Sequence, residues 1–225
     1  MLDRRDLAAV FEPSAPVRSA DPRRDILEAL VRTIALRGYD RTTIDRVLLA
    51  AEVSTPVFDE YFEDKQDCLL AALDELIAGI EGAISERIGS ATCWSERVLI
   101  GLETLLAAFA GSPDGARVAL VECLGAGEEA IARVRSAIAR TIPALERGRR
   151  GESDAGASAP DTTHLPAQTS EAVAGGIASI LHRRVLEGRT SELPALLPDL
   201  LYFAVMPYLG HERALAASES ASARA

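Results

Sequence analysis

Apolar positions in this chain recur at helical spacing almost throughout. Ile26, Leu30 and Ile34 repeat every fourth residue, supported by Leu27, Val31 and Ala35. Asp21-Pro22 places an N-cap before a proline in the first helical position, and Gly38 stops the run. Thr42 begins a second helix, with Asp45 three residues on as a capping-box partner and Ile44, Val47, Leu48 and Ala51 as its inward stripe. Ser54 caps a third, very short helix that carries Phe58 and Phe62 on one face. Asp64 caps a long fourth helix bearing Leu69, Leu73, Ile77, Ile80, Ile84 and Ile88.

Beyond Gly89 the pattern predicts helices at about Trp94–Ala110, Gly115–Leu124, Glu128–Arg147, Thr169–Gly188 and Glu192–Leu209. Between Gly148 and Ala167 lies a Gly-, Ser-, Ala-, Asp- and Pro-rich stretch that reads as a flexible loop, dispensable for folding. Residues 1–20 read as a mobile arm, and the Ala/Ser-rich residues 211–225 as a fraying tail. The expected fold class is all-α.

Composition agrees. Of 225 residues 48% are hydrophobic but only 4% aromatic, so the apolar mass is Ala, Leu, Ile and Val, which favours helices. No apolar run reaches the roughly 18–20 residues of a membrane span, and the first residues lack the apolar core of a signal peptide. Cys68, Cys93 and Cys123 are scattered and odd in number, which predicts reduced thiols in the cytoplasm. A formal charge of −10 argues against nonspecific coating of nucleic acid, though a local docking face is not excluded. His164, His182 and His211 are isolated, and no metal-ligand spacing, phosphate loop or nucleophile motif appears, so neither catalytic residues nor a metal or cofactor is expected.

The segment Thr42–Phe62 has helix-turn-helix layout: a capped helix, a tight turn at Glu52-Val53, then a second capped helix. The spacing equally suits an ordinary pair of core helices. What separates the two is a resemblance: Gly38–Leu76, with Gly38-Tyr39, Thr42-Thr43, Val53-Ser54, Tyr61-Phe62 and Lys65, resembles the DNA-binding module of the tetracycline-repressor (TetR) family. Ile180–Gly210 resembles the C-terminal dimerisation helices of actinobacterial members. The resemblance divides the chain into arm (1–20), helix-turn-helix head (21–67), ligand-binding and dimerisation body (68–210) and tail (211–225).

What it implies is a homodimeric transcriptional regulator, a repressor released from a double-stranded DNA operator by a small-molecule effector of unknown identity. Thr43 and Lys65 would touch phosphates, and Ser54, Thr55, Pro56, Val57, Asp59, Glu60 and Tyr61 would form the recognition segment. Trp94, Phe109, Leu120 and Cys123 are candidates to line an effector pocket. Ile177, Ile180, Leu181, Leu200 and Phe203 are candidates for the dimer interface, on helices with apolar residues on more than one face.

Four positions depart from the family pattern. Leu48 stands in place of a small Ala, Glu52 in place of the turn Gly, Thr55-Pro56 in place of a commonly basic or Gly-containing pair, and Asp59 in place of a phosphate-binding Tyr. From Asp21 to Gln66 seven basic residues face ten acidic ones, a balance of −3. Such a head would bind DNA weakly unless Arg4, Arg5, Arg18, Arg23 and Arg24 help. The alternative is a TetR-like ligand-binding or interaction protein whose head no longer binds DNA.

Overall fold

The computed structural model describes residues 21–149 and 165–223. The arm over residues 1–20, with Arg4, Arg5 and Arg18, lies outside the described residues, as do His164 and most of the expected loop. Among the described residues there are ten α-helices and no strand: α1 (Pro22–Arg37), α2 (Ile44–Ala51), α3 (Thr55–Asp59), α4 (Lys65–Ile88), α5 (Trp94–Gly111), α6 (Pro113–Leu120), α7 (Glu128–Arg149), α8 (Thr169–Leu186), α9 (Leu197–Leu209) and α10 (His211–Ser222).

Local chemistry sets the boundaries. The Asp21 carboxylate accepts the Arg23 N–H at 3.1 Å and that of Asp64 accepts the Asp67 N–H at 2.8 Å, closing the starts of α1 and α4. Gly38 at φ 84° and Gly210 at φ 78° end α1 and α9 in a region that disfavours side chains. Thr43, rather than Thr42, is the N-cap of α2; Thr42 is buried and its hydroxyl donates to the Gly38 carbonyl. Glu52 sits at φ 57°, ψ 38° in the α2–α3 turn, the left-handed conformation that the missing glycine would have filled without strain. It costs a residue with a Cβ about 1 kcal/mol.

Two apolar clusters organise the packing. The first joins Ile26, Leu30 and Ile34 of α1 to Val47, Phe58, Phe62, Leu69 and Leu73, and continues into Val118, Ala119, Cys123, Ala126 and Ala130. The head therefore shares its core with α6 and the start of α7. The second cluster fills the body between α5, α7, α8, α9 and α10, around Trp94, Leu106, Leu181, Leu201 and Tyr208. Arg133–Asp74 and Arg140–Glu81 ion pairs, at 3.1 and 2.6 Å, lace α7 along α4.

Three expectations are corrected. Residues 211–222 form α10 instead of a fraying tail, because Ala214 and Ala221 are small enough to be wholly buried against the body. The segment expected as one helix over Glu192–Leu209 begins as a 3-10 turn, Thr190–Leu196, containing Pro194, before α9 starts. Gly148 belongs to α7 rather than to the loop, and it packs directly against the Trp94 ring.

That contact is tight enough to test. A Cβ at Gly148 would overlap the Trp94 indole, which is buried and held by its Nε1–H donating to the Ala144 carbonyl at 2.8 Å. Gly148→Ala is expected to destabilise by about 1–3 kcal/mol through overpacking, despite alanine's helix preference, and a lowered urea midpoint would register it. The thiols offer a second check. Burial pushes Cys68 up to about 12 and Cys123 up to about 11, so both are protonated, unreactive thiols at pH 8. Iodoacetamide at that pH is expected to label only Cys93, which is partly exposed, in the native protein, and all three cysteines after denaturation, read by intact mass.

Candidate nucleic-acid interface

The short α3 is oriented by its two aromatics. Phe58 and Phe62, ring centroids 5.6 Å apart, both turn into the head core. The opposite face is thereby forced outward, leaving Ser54, Thr55, Pro56, Asp59, Glu60 and Tyr61 exposed and Val57 half-buried. Thr43 and Ser54 stand at the starts of α2 and α3; both are exposed and neither side chain caps its own helix, so their hydroxyls face solvent. Leu48, which stands in place of the family's small Ala, is buried in the core as part of the inward stripe of α2.

Charge on this face is unevenly placed. Asp59, Glu60, Glu63 and Asp64 make the α3–α4 side acidic and exposed. Lys65, the one cation of that stretch, points inward. Its ammonium donates to the carbonyls of Tyr39 at 2.9 Å and Thr42 at 3.0 Å and lies 3.9 Å from the Tyr39 ring centre. It braces the α1–α2 turn, a contact 26 and 23 residues away that no local pattern announces. Arg23 and Arg24 are also engaged: Arg23 pairs with Glu75 of α4 and lies over the Phe62 ring, and Arg24 pairs with Glu28 at 2.8 Å. Both stand on α1, and each is already paired with a carboxylate.

The same α1–α2 turn is held from the body. Glu122, in the 3-10 turn Glu122–Gly125 after α6, accepts the Tyr39 backbone N–H at 3.3 Å and pairs with Arg117 of α6 at 3.1 Å. His182 of α8 is 2.5 Å from the Leu120 carbonyl at the end of α6. Thus α8, α6 and the head turn are linked through His182, Leu120, Glu122 and Tyr39. The sequence reading missed Glu122, whose partner lies 83 residues away.

The candidate effector residues do not share a wall. Trp94 and Phe109 are buried in the body cluster, Leu120 packs partly against it, and Cys123 belongs to the head cluster with its Sγ–H directed to the Ala119 carbonyl. Trp94 packs edge-on to Tyr208, whose hydroxyl is 2.7 Å from Ser170 Oγ, itself 2.6 Å from Glu146. Among the dimer candidates, Ile177, Leu181 and Leu200 are buried in the chain's own core and Ile180 is half-buried. Phe203 at 39% and Met206 at 38% exposure remain on the α9 surface, with Leu186 of α8 at 55%.

Among the described residues no group of three or more His, Cys, Asp or Glu is placed to hold a metal, and no helix is long and apolar enough to cross a membrane. His211 contacts the Tyr202 hydroxyl at 3.0 Å.

Residues 26–72 match the family model of bacterial regulatory proteins, tetR family. No curated protein sequence is matched. Among solved structures, the fatty acid degradation regulator FadR from Bacillus halodurans is similar at a TM-score of 0.70 and 19% identity, over 83% of this chain and 96% of that one. The transcriptional regulator FadR from Bacillus subtilis, solved in complex with stearoyl-CoA, gives 0.67 and 20% over 83% and 98%. A tetR-family regulatory protein from Rhodococcus RHA1 gives 0.66 and 18% over 84% and 98%. Residues 26–72 are thus similar to the tetR-family model, and the chain has the fold of the solved FadR regulators.

Proposed function

We propose that this chain acts in the cytoplasm as a homodimeric, DNA-binding transcriptional repressor, released from its operator by a small-molecule effector. The observation that carries the reading is α3. Its aromatic face is locked into the core while its polar face stands fully open beside the uncapped starts of α2 and α3. That is the arrangement by which a second helix enters a major groove and helix starts meet phosphates. Thr43, Ser54, Thr55, Pro56, Val57, Asp59, Glu60 and Tyr61 are the residues proposed to face DNA.

The effector would enter the body, whose core is aliphatic with a buried Trp94–Tyr208 pair. A similar fold holds stearoyl-CoA in the Bacillus subtilis protein, which supports an effector with a long apolar part. The actinobacterial placement rests on the resemblance of Ile180–Gly210. Dimerisation is proposed through α8 and α9, on the surface that Phe203, Met206 and Leu186 leave apolar.

Selection of fragments from a random DNA pool by the full-length protein at low salt is expected to enrich a site with two related halves. Asp59→Tyr is expected to tighten binding to that site by about 1 kcal/mol, less at high salt, by removing a carboxylate from the docking face. If neither protein enriches any fragment, the head does not bind DNA and the chain is a ligand-binding or interaction protein instead. For the interface, light scattering is expected to report a dimer at micromolar concentration, and Phe203→Glu a monomer. An undisturbed dimer in that variant would move the interface elsewhere.

A further inference from the structure

The acidic α3 leaves open what attracts this head to a polyanion, and the other edge of the head supplies an answer. Arg37 ends α1, Arg41 lies in the α1–α2 turn and Arg46 stands on α2; all three are exposed. Together with Leu36, Asp40 and Thr43 they line one open cleft of about 490 Å³ at the start of α2. Three guanidinium groups and one carboxylate therefore share this surface. Neither Arg37 nor Arg41 makes an ion pair among the described residues, unlike Arg23, Arg24, Arg87, Arg133 and Arg140, each paired with a carboxylate. Arg46 donates to the Arg41 carbonyl, which ties the turn to α2.

Two independent features make this edge suited to phosphate. Thr43, at the start of α2, lines the same cleft as the arginines, and its hydroxyl does not cap the helix. The turn that carries Arg41 is also fixed on two sides, by Lys65 through the Tyr39 and Thr42 carbonyls and by Glu122 through the Tyr39 N–H. A braced backbone spares the cost of ordering the turn when the cations it carries meet a ligand. Leu36, at 82% exposure, lines the same cleft.

We infer that the α1–α2 edge, through Arg37, Arg41 and Arg46 beside the open start of α2, docks on the phosphates of the DNA backbone and supplies the attraction that the acidic α3 lacks. This rests on the DNA-binding reading above. The head then meets the duplex with its charge divided: one edge neutralises phosphates, and the other bears carboxylates that penalise close approach to the backbone.

The test is a titration of the selected DNA fragment at several salt concentrations with full-length protein. Arg37→Ala/Arg41→Ala is expected to weaken binding at least tenfold at low salt and to flatten the salt slope by about one unit per arginine per head. Arg41→Lys, which keeps the charge, is expected to retain the wild-type slope. Arg135→Ala, exposed on α7 far along the chain, is expected to leave it unchanged, and melting curves of all variants should coincide within a few degrees. A wild-type slope in Arg37→Ala/Arg41→Ala overturns the inference while the DNA-binding reading stands. So does a lost slope in Arg41→Lys, because charge would then not be the cause. If the wild-type protein binds no fragment at all, the DNA-binding reading itself fails and the inference with it.

Discussion

Helix α1 is buried on two sides, and the placement of the head follows from that. Ile26, Leu30 and Ile34 face a core built from α2, α3 and α4 on one side and from Val118, Ala119, Cys123 and Ala130 on the other. A residue wholly removed from water in this way contributes about 1.5–3 kcal/mol, so α1 cannot slide on the body without exposing several such side chains. Interiors packed to this density move as units rather than deform. Any rearrangement of α6 must therefore carry α1, and with it the turn that leads into α2.

Polar contacts sharpen what the apolar core sets broadly. Lys65 and Glu122 grip the two ends of the Tyr39 peptide environment, one at its carbonyl and one at its N–H. A charge-assisted bond of this kind is directional, so the pair fixes the angle at which the α1–α2 turn meets the body. In the body the Glu146–Ser170–Tyr208 contacts join α7, α8 and α9 in the same manner, inside an otherwise apolar cluster. A partly broken network there would leave buried polar atoms without partners, which favours one register of these helices over others.

The starts of α1 and α4 and the stop of α1 were legible because caps are local: Asp21, Gly38 and Asp64 act on amides or dihedrals within a few residues, whereas Ser54 stands at the start of α3 without its side chain capping it. The left-handed turn at Glu52 was legible as a departure from a glycine. What escaped depends on distant contacts. Whether Lys65 points outward or inward is decided by carbonyls in another turn, and Cys123 faces the head because it sits in the 3-10 turn after α6, packed into the head cluster. The Ala/Ser composition of 211–222 hid α10, since alanines carry no hydrophobic stripe large enough to stand out, yet fit closely where α9 lies near.

Gly176 bears on α9 in a way its sequence position does not suggest. A Cβ there would come within 3.1 Å of the Phe203 ring, so the glycine is the recess in α8 against which that ring lies. Phe203 is thus an aromatic group seated on helix backbone and restricted in rotation, with only its outer part in water. Covering such a side chain demands almost no further loss of rotamer freedom, and most of the solvation gain is retained. Absence of a methyl group on one helix is in this sense what gives the neighbouring ring its seat.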